Sequence, residues 1–285
     1  VAFNMTDAAT DNAKKIKHLE TYWTSFASGF HSMASKQTRT VAFQLFTQMK
    51  LENSTNYLQI GCGTGLETEL LLSFLPPTTT LTVTDLTQAM LDMTKELNKN
   101  AKRDITYAKV NAEDLSAYGD ETFDRYSANF ILHLVPNPQK MVAESFRVLK
   151  KGGMAAFSVW GRREFSPQFT LAGKIMQDLG IETAKSSGTG YSPFHLSDIQ
   201  KTRQMIKDAG FEYVLPWAGV NPVVLTDAKD IMKNFEDSPR LKAMYSKLDD
   251  STKEKFTKAM VAAVEEYRSS GKVYGYEVNC FIAIK

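Results

Sequence analysis

Cysteine is scarce: Cys62 and Cys280 are the only two among 285 residues, and they lie far apart in the chain. That excludes a disulfide framework and any Cys-x-x-Cys metal spacing, so no metal is expected, and it favours a reducing compartment over secretion. An excess of charge is lacking too. A net charge of +2 is too small to draw the chain to nucleic acid or to a membrane surface by bulk electrostatics. No apolar run approaches the roughly 20 residues of a membrane span, so no transmembrane segment is expected. There is no repeat and no low-complexity tract. No Gly-Lys-Ser/Thr follows the glycine-rich stretch, which excludes a P-loop. The expected location is the cytoplasm, or an organelle matrix if a targeting peptide preceded Val1.

What is present is ordinary globular composition, 43% hydrophobic and 23% charged, arranged in an orderly alternation. Residues 1–15 are polar and expected to fray. Helices are predicted over 16–34 and 36–49. Strands are then predicted at 57–60, 81–83, 105–110, 123–130 and 154–160, with helices at 66–74, 88–98 and 138–149 between them. Thr87 supplies an N-cap and Pro138 a helix-opening proline. Such spacing implies right-handed βαβ units and a mostly parallel sheet with helices on both faces. After Trp160 the rhythm breaks. Helices are predicted at 166–179, 197–209, 228–235 and 251–269, strands at 211–216 and 273–284, and a mobile loop at Ser186–Tyr191. One α/β domain results: an N-terminal helical cap (1–50), a ligand-binding core (51–160), and cap helices with the last two strands (161–285).

Gly61-Cys62-Gly63-Thr64-Gly65 closes the first strand. Open α/β sheets bind ligands outside the carboxyl ends of their strands, and glycine lets ligand atoms approach the main chain. The dinucleotide pattern G-x-G-x-x-G is not met, because Leu66 stands at its third glycine; a nicotinamide-dependent oxidoreductase is thereby disfavoured. Asp85 ends the second strand about 20 residues on, where a carboxylate can accept two ribose hydroxyls. Asn111, Ala112, Glu113 and Asp114 follow the third strand and could meet an adenine rim. Each feature also has a plain structural use, as a bare turn or as a helix N-terminal charge. Together they favour a nucleoside over a diphosphate.

In order along the chain, LQIGCGTG, TDLTQAML, NAEDL and FDRYSANFILHLVPNPQKMVAESFRVLKKGGMAAFSVWG resemble the motifs of class I S-adenosylmethionine-dependent methyltransferases. They are most similar to the small-molecule branch that includes the ubiquinone and menaquinone C-methyltransferases. The resemblance runs from about Tyr22 to the C-terminus and implies a Rossmann-like fold with a seven-stranded sheet. It implies S-adenosyl-L-methionine as cofactor and S-adenosyl-L-homocysteine as product. It implies Gly61, Gly63 and Gly65 along the methionyl portion, Asp85 on both ribose hydroxyls with Leu86 and Met90 packing nearby, and Asn111, Ala112 and Glu113 around the adenine. It also implies Asn129 near the methionyl group and Phe30 closing over the cofactor. One position departs from the pattern: the first motif usually begins with an acidic residue, and here it is Gln59. That departure is the sole encouragement for an alternative reading, a methyltransferase-like scaffold with weak or lost catalysis.

A sulfonium methyl is already activated, so the protein's part is alignment of an acceptor with the S–CH₃ bond, with a base only where the acceptor must lose a proton. His133, ending the fourth strand, is the first candidate for base or acceptor ligand, and His31 the second. His195 is a weaker one, and His18 is expected in solvent. Tyr22, Trp23, Tyr126, Trp160, Phe165 and Tyr191 are candidates for an apolar acceptor pocket, although aromatic residues at helical spacing usually form core. The expected function is methyl transfer to a small apolar or aromatic acceptor.

Overall fold

The computed structural model describes residues 5–33, 35–181, 192–224, 227–233 and 239–285. The Ser186–Tyr191 loop named above lies outside them. The strands are β1 (Asn56–Ile60), β2 (Thr80–Asp85), β3 (Ile105–Lys109), β4 (Phe123–Asn129), β5 (Leu149–Trp160), β6 (Tyr213–Pro222) and β7 (Gly275–Ile284). They form one sheet in the order β3-β2-β1-β4-β5-β7-β6. The first five run parallel, and β7 pairs antiparallel with both β5 and β6. Order reverses at β1, whose two neighbours β2 and β4 lie on opposite sides, and the crevice opens at that switch point.

Alternate residues of each strand serve opposite faces. Tyr57, Leu81 and Val83 pack with α2 (Ser35–Phe46) and α3 (Leu66–Phe74) on one side. Leu58, Ile60, Tyr126 and Ala128 pack on the other, with α5 (Pro138–Val148) and α7 (Ile199–Asp208). Helix starts follow their caps: the Thr87 hydroxyl accepts from Met90 N at the head of α4 (Gln88–Leu97), and Asn137 accepts from Lys140 N at α5. Beneath the sheet, Asp124 accepts from Ser54, from Thr55 twice and from Asn56, while buried Arg125 donates to the Met49 and Lys50 carbonyls. These bonds fix where β1 begins. A separate apolar cluster joins α6 (Pro167–Asp178), the 3-10 turn Ala228–Met232 and α9 (Asp250–Ser269) through Met176, Ile231, Phe256 and Val264. A short helix, α8 (Pro239–Tyr245), precedes α9.

Several expectations need correction. Residues 5–15 are the first turns of a 29-residue helix, α1 (Met5–Met33), and not a frayed tail. Within this stretch Asn12 has a distant partner, donating to Glu113. The strand expected at 154–160 already starts at Leu149 as β5, bulges through Gly152 at φ +74°, and rejoins β4 at Met154. Of the helix expected at 228–235, Ala228–Met232 form a 3-10 turn, Lys233 is helical and residues 234–235 lie outside the described residues; β6 continues six residues beyond Pro216 because β7 pairs with it throughout.

Candidate functional site

The site forms along the carboxyl edge of the parallel strands. Gly61, Gly63 and Gly65 all have positive φ, at 68°, 56° and 94°, so the chain leaves β1 in a sharply folded loop. At Gly65 a Cβ would sit 2.8 Å from Thr94 Cα, a backbone atom of α4 that cannot step aside. At Gly63 it would meet only the edge of the Phe30 ring, at 3.2 Å. Gly65→Ala is therefore expected to cost about 3 kcal/mol of folding stability and Gly63→Ala about 1, read as shifts in urea midpoint. Equal costs at the two positions would refute this assignment.

Asp85, at the end of β2, is buried and bonded on both oxygens. Gly63 N–H donates to Oδ2 at 3.1 Å; Thr87 N–H and hydroxyl donate to Oδ1 at 3.0 and 3.3 Å. Burial raises its pKa to about 6, and the donors from Thr87, Gly63 and Leu86 only partly offset that rise. A carboxylate offers about four acceptor positions, so room for a further hydroxyl remains on Oδ2. Leu86 is half-buried and Met90 buried beside it. After β3, Ala112 is buried and Asn111 accepts from Glu113 N. Glu113 is fully buried and serves as a brace: one oxygen accepts from Asn12 of α1, the other from Asn137 N at the head of α5. Both of its oxygens are thus engaged within the protein.

At the end of β4, Asn129 sits in a buried polar network. Its Nδ2 donates to Glu67 Oε2 and to the Thr38 carbonyl, both at 3.0 Å, and its Oδ1 accepts from Ser158 at 2.6 Å. Ser158 in turn accepts from Phe130 N, which helps hold Phe130 at a φ of +57°. The turn that follows carries His133, buried and 5.0 Å from the Trp160 ring. Burial drives its pKa down to about 3, with nearby His195 adding to the effect, so the imidazole is neutral. Its Nδ1 has no hydrogen-bond partner among the described residues, and its backbone carbonyl is 3.1 Å from His195 Nε2.

Over this edge lies α1. Asn12 reaches the loop after β3, Glu20 accepts from Lys109 at the end of β3, Phe30 covers Gly63, and His31 Nδ1 lies 3.0 Å from the Thr64 hydroxyl. Phe30 belongs to a run of rings with Tyr22, Trp23 and Phe26 along the helix. The two candidate histidines are thus separated in role: His31 fastens α1 to the glycine loop, and His133 faces rings beyond β4 and β5. There Trp160 stacks on Phe169 at 4.2 Å, with Phe194 and Tyr276 alongside. Of the other aromatic candidates, Tyr126 is core, Phe165 lies under the Arg162 guanidinium, and Tyr191 falls outside the described residues. His18 is exposed. Glu67 was missed by sequence reasoning, and no signal sets it apart there: Glu69 is acidic in the same first turn and is exposed.

These residues suit S-adenosylmethionine: a buried carboxylate with acceptor capacity at the end of β2, a glycine loop open to close approach, and an unpartnered buried oxygen on Glu67. Among the described residues no three His, Cys, Asp or Glu side chains converge to hold a metal. No described helix is long and apolar enough to cross a membrane.

Comparison with known proteins agrees. Residues 58–157 match the methyltransferase-domain family. An uncharacterized protein of Methanocaldococcus jannaschii is 31% identical over 44% of this chain and 55% of its own length, so that alignment spans about half of the relative. The demethylmenaquinone methyltransferase of Listeria welshimeri is 28% identical over 58% of this chain and 74% of its own. The malonyl-[acyl-carrier protein] O-methyltransferase of a Paenibacillus species is 21% identical over 74% and 76%. Among solved structures, YcgJ of Bacillus subtilis superposes with a TM-score of 0.55 at 13% identity, covering 86% of this chain and 98% of that one. A methyltransferase from a Haloferax volcanii complex with Trm112 gives 0.56 at 16% identity, covering 92% and 96%. The matched core, the sheet order and the ordered motifs place a methyltransferase domain of the S-adenosylmethionine-dependent kind in residues 58–157 of this chain.

Proposed function

We propose that the chain methylates a small, planar, apolar acceptor of the hydroquinone or phenol class, seated against the rings around Trp160. The observation that carries this reading is the half-open ring cluster of Trp160, Phe169 and Phe194 beside a buried neutral imidazole. Aromatic faces favour flat apolar ligands. Two relatives are named for related chemistry, the demethylmenaquinone methyltransferase above and a rice chloroplastic 2-methyl-6-phytyl-1,4-hydroquinone methyltransferase, 31% identical over 46% of this chain and 38% of its own.

The cofactor supplies an activated methyl group. Asp85 binds the ribose, Phe30 closes over the methionyl end, and α1 excludes water along the edge. His133 Nδ1, kept neutral by burial, accepts a hydrogen bond from an acceptor hydroxyl and orients it. An imidazole of such low basicity holds a proton only while the acceptor's developing negative charge stays beside it.

Labelled S-adenosylmethionine offered with a prenylated hydroquinone, a simple phenol, an aliphatic carboxylic acid and an amine tests the reading. Label is expected in the hydroquinone or phenol. Phe169→Ala, at a 37% exposed ring, is expected to raise the acceptor KM about tenfold while leaving S-adenosylhomocysteine binding within twofold. Turnover of the carboxylic acid or amine alone would sink the proposal.

A further inference from the structure

Glu67 is a carboxyl group in a dry place whose titration no charged side chain among the described residues shifts. It sits on the first turn of α3 and is 8% exposed. Oε2 accepts one hydrogen bond from Asn129, and Oε1 has no partner among the described residues. The Gln59 amide of β1 lies beside it, close enough to hold its pKa down somewhat, yet Gln59 Nε2 makes no hydrogen bond either. The Gln59 oxygen is taken by Thr68. From α2 comes only the Thr38 carbonyl, shared through Asn129. The titratable groups that feel its charge are the Tyr57 hydroxyl and the Cys62 thiol, both pushed up chiefly by their own burial. No charged side chain contributes to the shift of Glu67 itself.

A buried, singly bonded carboxylate is costly unless a cation or further donors reach it. The ends of β1 and β4, where it sits, flank the glycine loop. We propose that Glu67 anchors the α-ammonium of the cofactor's methionyl arm, supplying from α3 a negative charge that neutral Gln59 cannot supply from β1. The proposal rests on S-adenosylmethionine being the cofactor. Without ligand, burial raises the Glu67 pKa to about 8, so the group is largely protonated at neutral pH; capture of an ammonium must then drive its proton off.

Calorimetry with S-adenosylhomocysteine and with 5′-methylthioadenosine, which has the same nucleoside but no amino-acid arm, separates the possibilities. At pH 7, titrations in two buffers of different ionisation enthalpy should show wild type releasing about one proton on binding S-adenosylhomocysteine. Glu67→Gln, which keeps the shape and an acceptor for Asn129, should weaken S-adenosylhomocysteine about 30-fold or more and abolish this proton release. Methylthioadenosine affinity should stay within twofold. Equal weakening of both ligands would assign Glu67 a merely structural role and overturn the proposal, as would unchanged S-adenosylhomocysteine binding with no proton released. Wild-type protein that binds neither ligand would overturn the cofactor assignment, and the anchor with it.

Discussion

Asp85→Ala is expected to weaken S-adenosylhomocysteine by at least about 100-fold. A ribose hydroxyl on the remaining position of Oδ2 makes a charge-assisted hydrogen bond of about 1.5–3 kcal/mol, which the alanine variant forfeits. It also strips the Gly63 and Thr87 N–H groups of their acceptor, so the glycine loop loses its tie to β2. The loss must appear with methylthioadenosine as well, in contrast to Glu67→Gln, because the ribose is common to both ligands. A pH signature accompanies it. Burial lifts the Asp85 pKa from 3.8 to about 6, and the group that faces it with its own titration, the Cys62 thiol, is raised and stays neutral. The ionised carboxylate is the better acceptor, so methylthioadenosine affinity should climb as pH rises through about 6 and then level off. Calorimetric affinities from pH 5 to 7.5 decide this. A flat profile, or an Asp85→Asn variant equal to wild type, would remove Asp85 from the ribose site.

The parallel core was legible because local signals and tertiary demand agree there. The helix predicted over 66–74 has those bounds, and the one predicted from Gln88 begins there, since Gly65 and Thr87 set both starts chemically. Strands β1 to β4 were within two residues of expectation at each end, the runs of β1, β2 and β4 being buried on both faces. The N-terminal helix was misjudged where its stability is not local: residues 5–15 hold few apolar side chains, and Asn12 finds its partner 101 positions away. β6 was underestimated for the same reason, because Trp217 to Pro222 owe their extension to β7. At the candidate site, the positions of Asp85 and the glycines at the ends of their strands could be read from spacing. Glu67 could not, because an acidic residue in the first turn of a helix is the ordinary response to the helix dipole. Only the fold turns it against Asn129 and seals it from water. Glu113 shows the converse: its position suggests an adenine contact, while the structure has both its oxygens bracing α1 and α5.

That same burial gives the ligand-free protein an unusual dependence on pH. Glu67 moves from 4.5 to about 8 on folding and Asp85 from 3.8 to about 6, so between those values the folded chain binds more protons than the unfolded one. Both contributions are fully present below the unfolded pKa and are lost as pH rises through the folded pKa. Stability from these two groups therefore falls from about pH 4 to about pH 8, by at most about 1.4 kcal/mol per pH unit for each. Glu67→Gln removes the larger share. Its urea midpoint should be close to that of wild type at pH 5 and exceed it at pH 8, by a difference on the order of a few kcal/mol in unfolding free energy. Saturating S-adenosylhomocysteine should narrow the gap at pH 8, because an ammonium on Glu67 stabilises the ionised form that the empty site opposes. A gap of constant size at both pH values would mean that Glu67 keeps an ordinary pKa, and that the interior around Asn129 is wetter than its geometry implies.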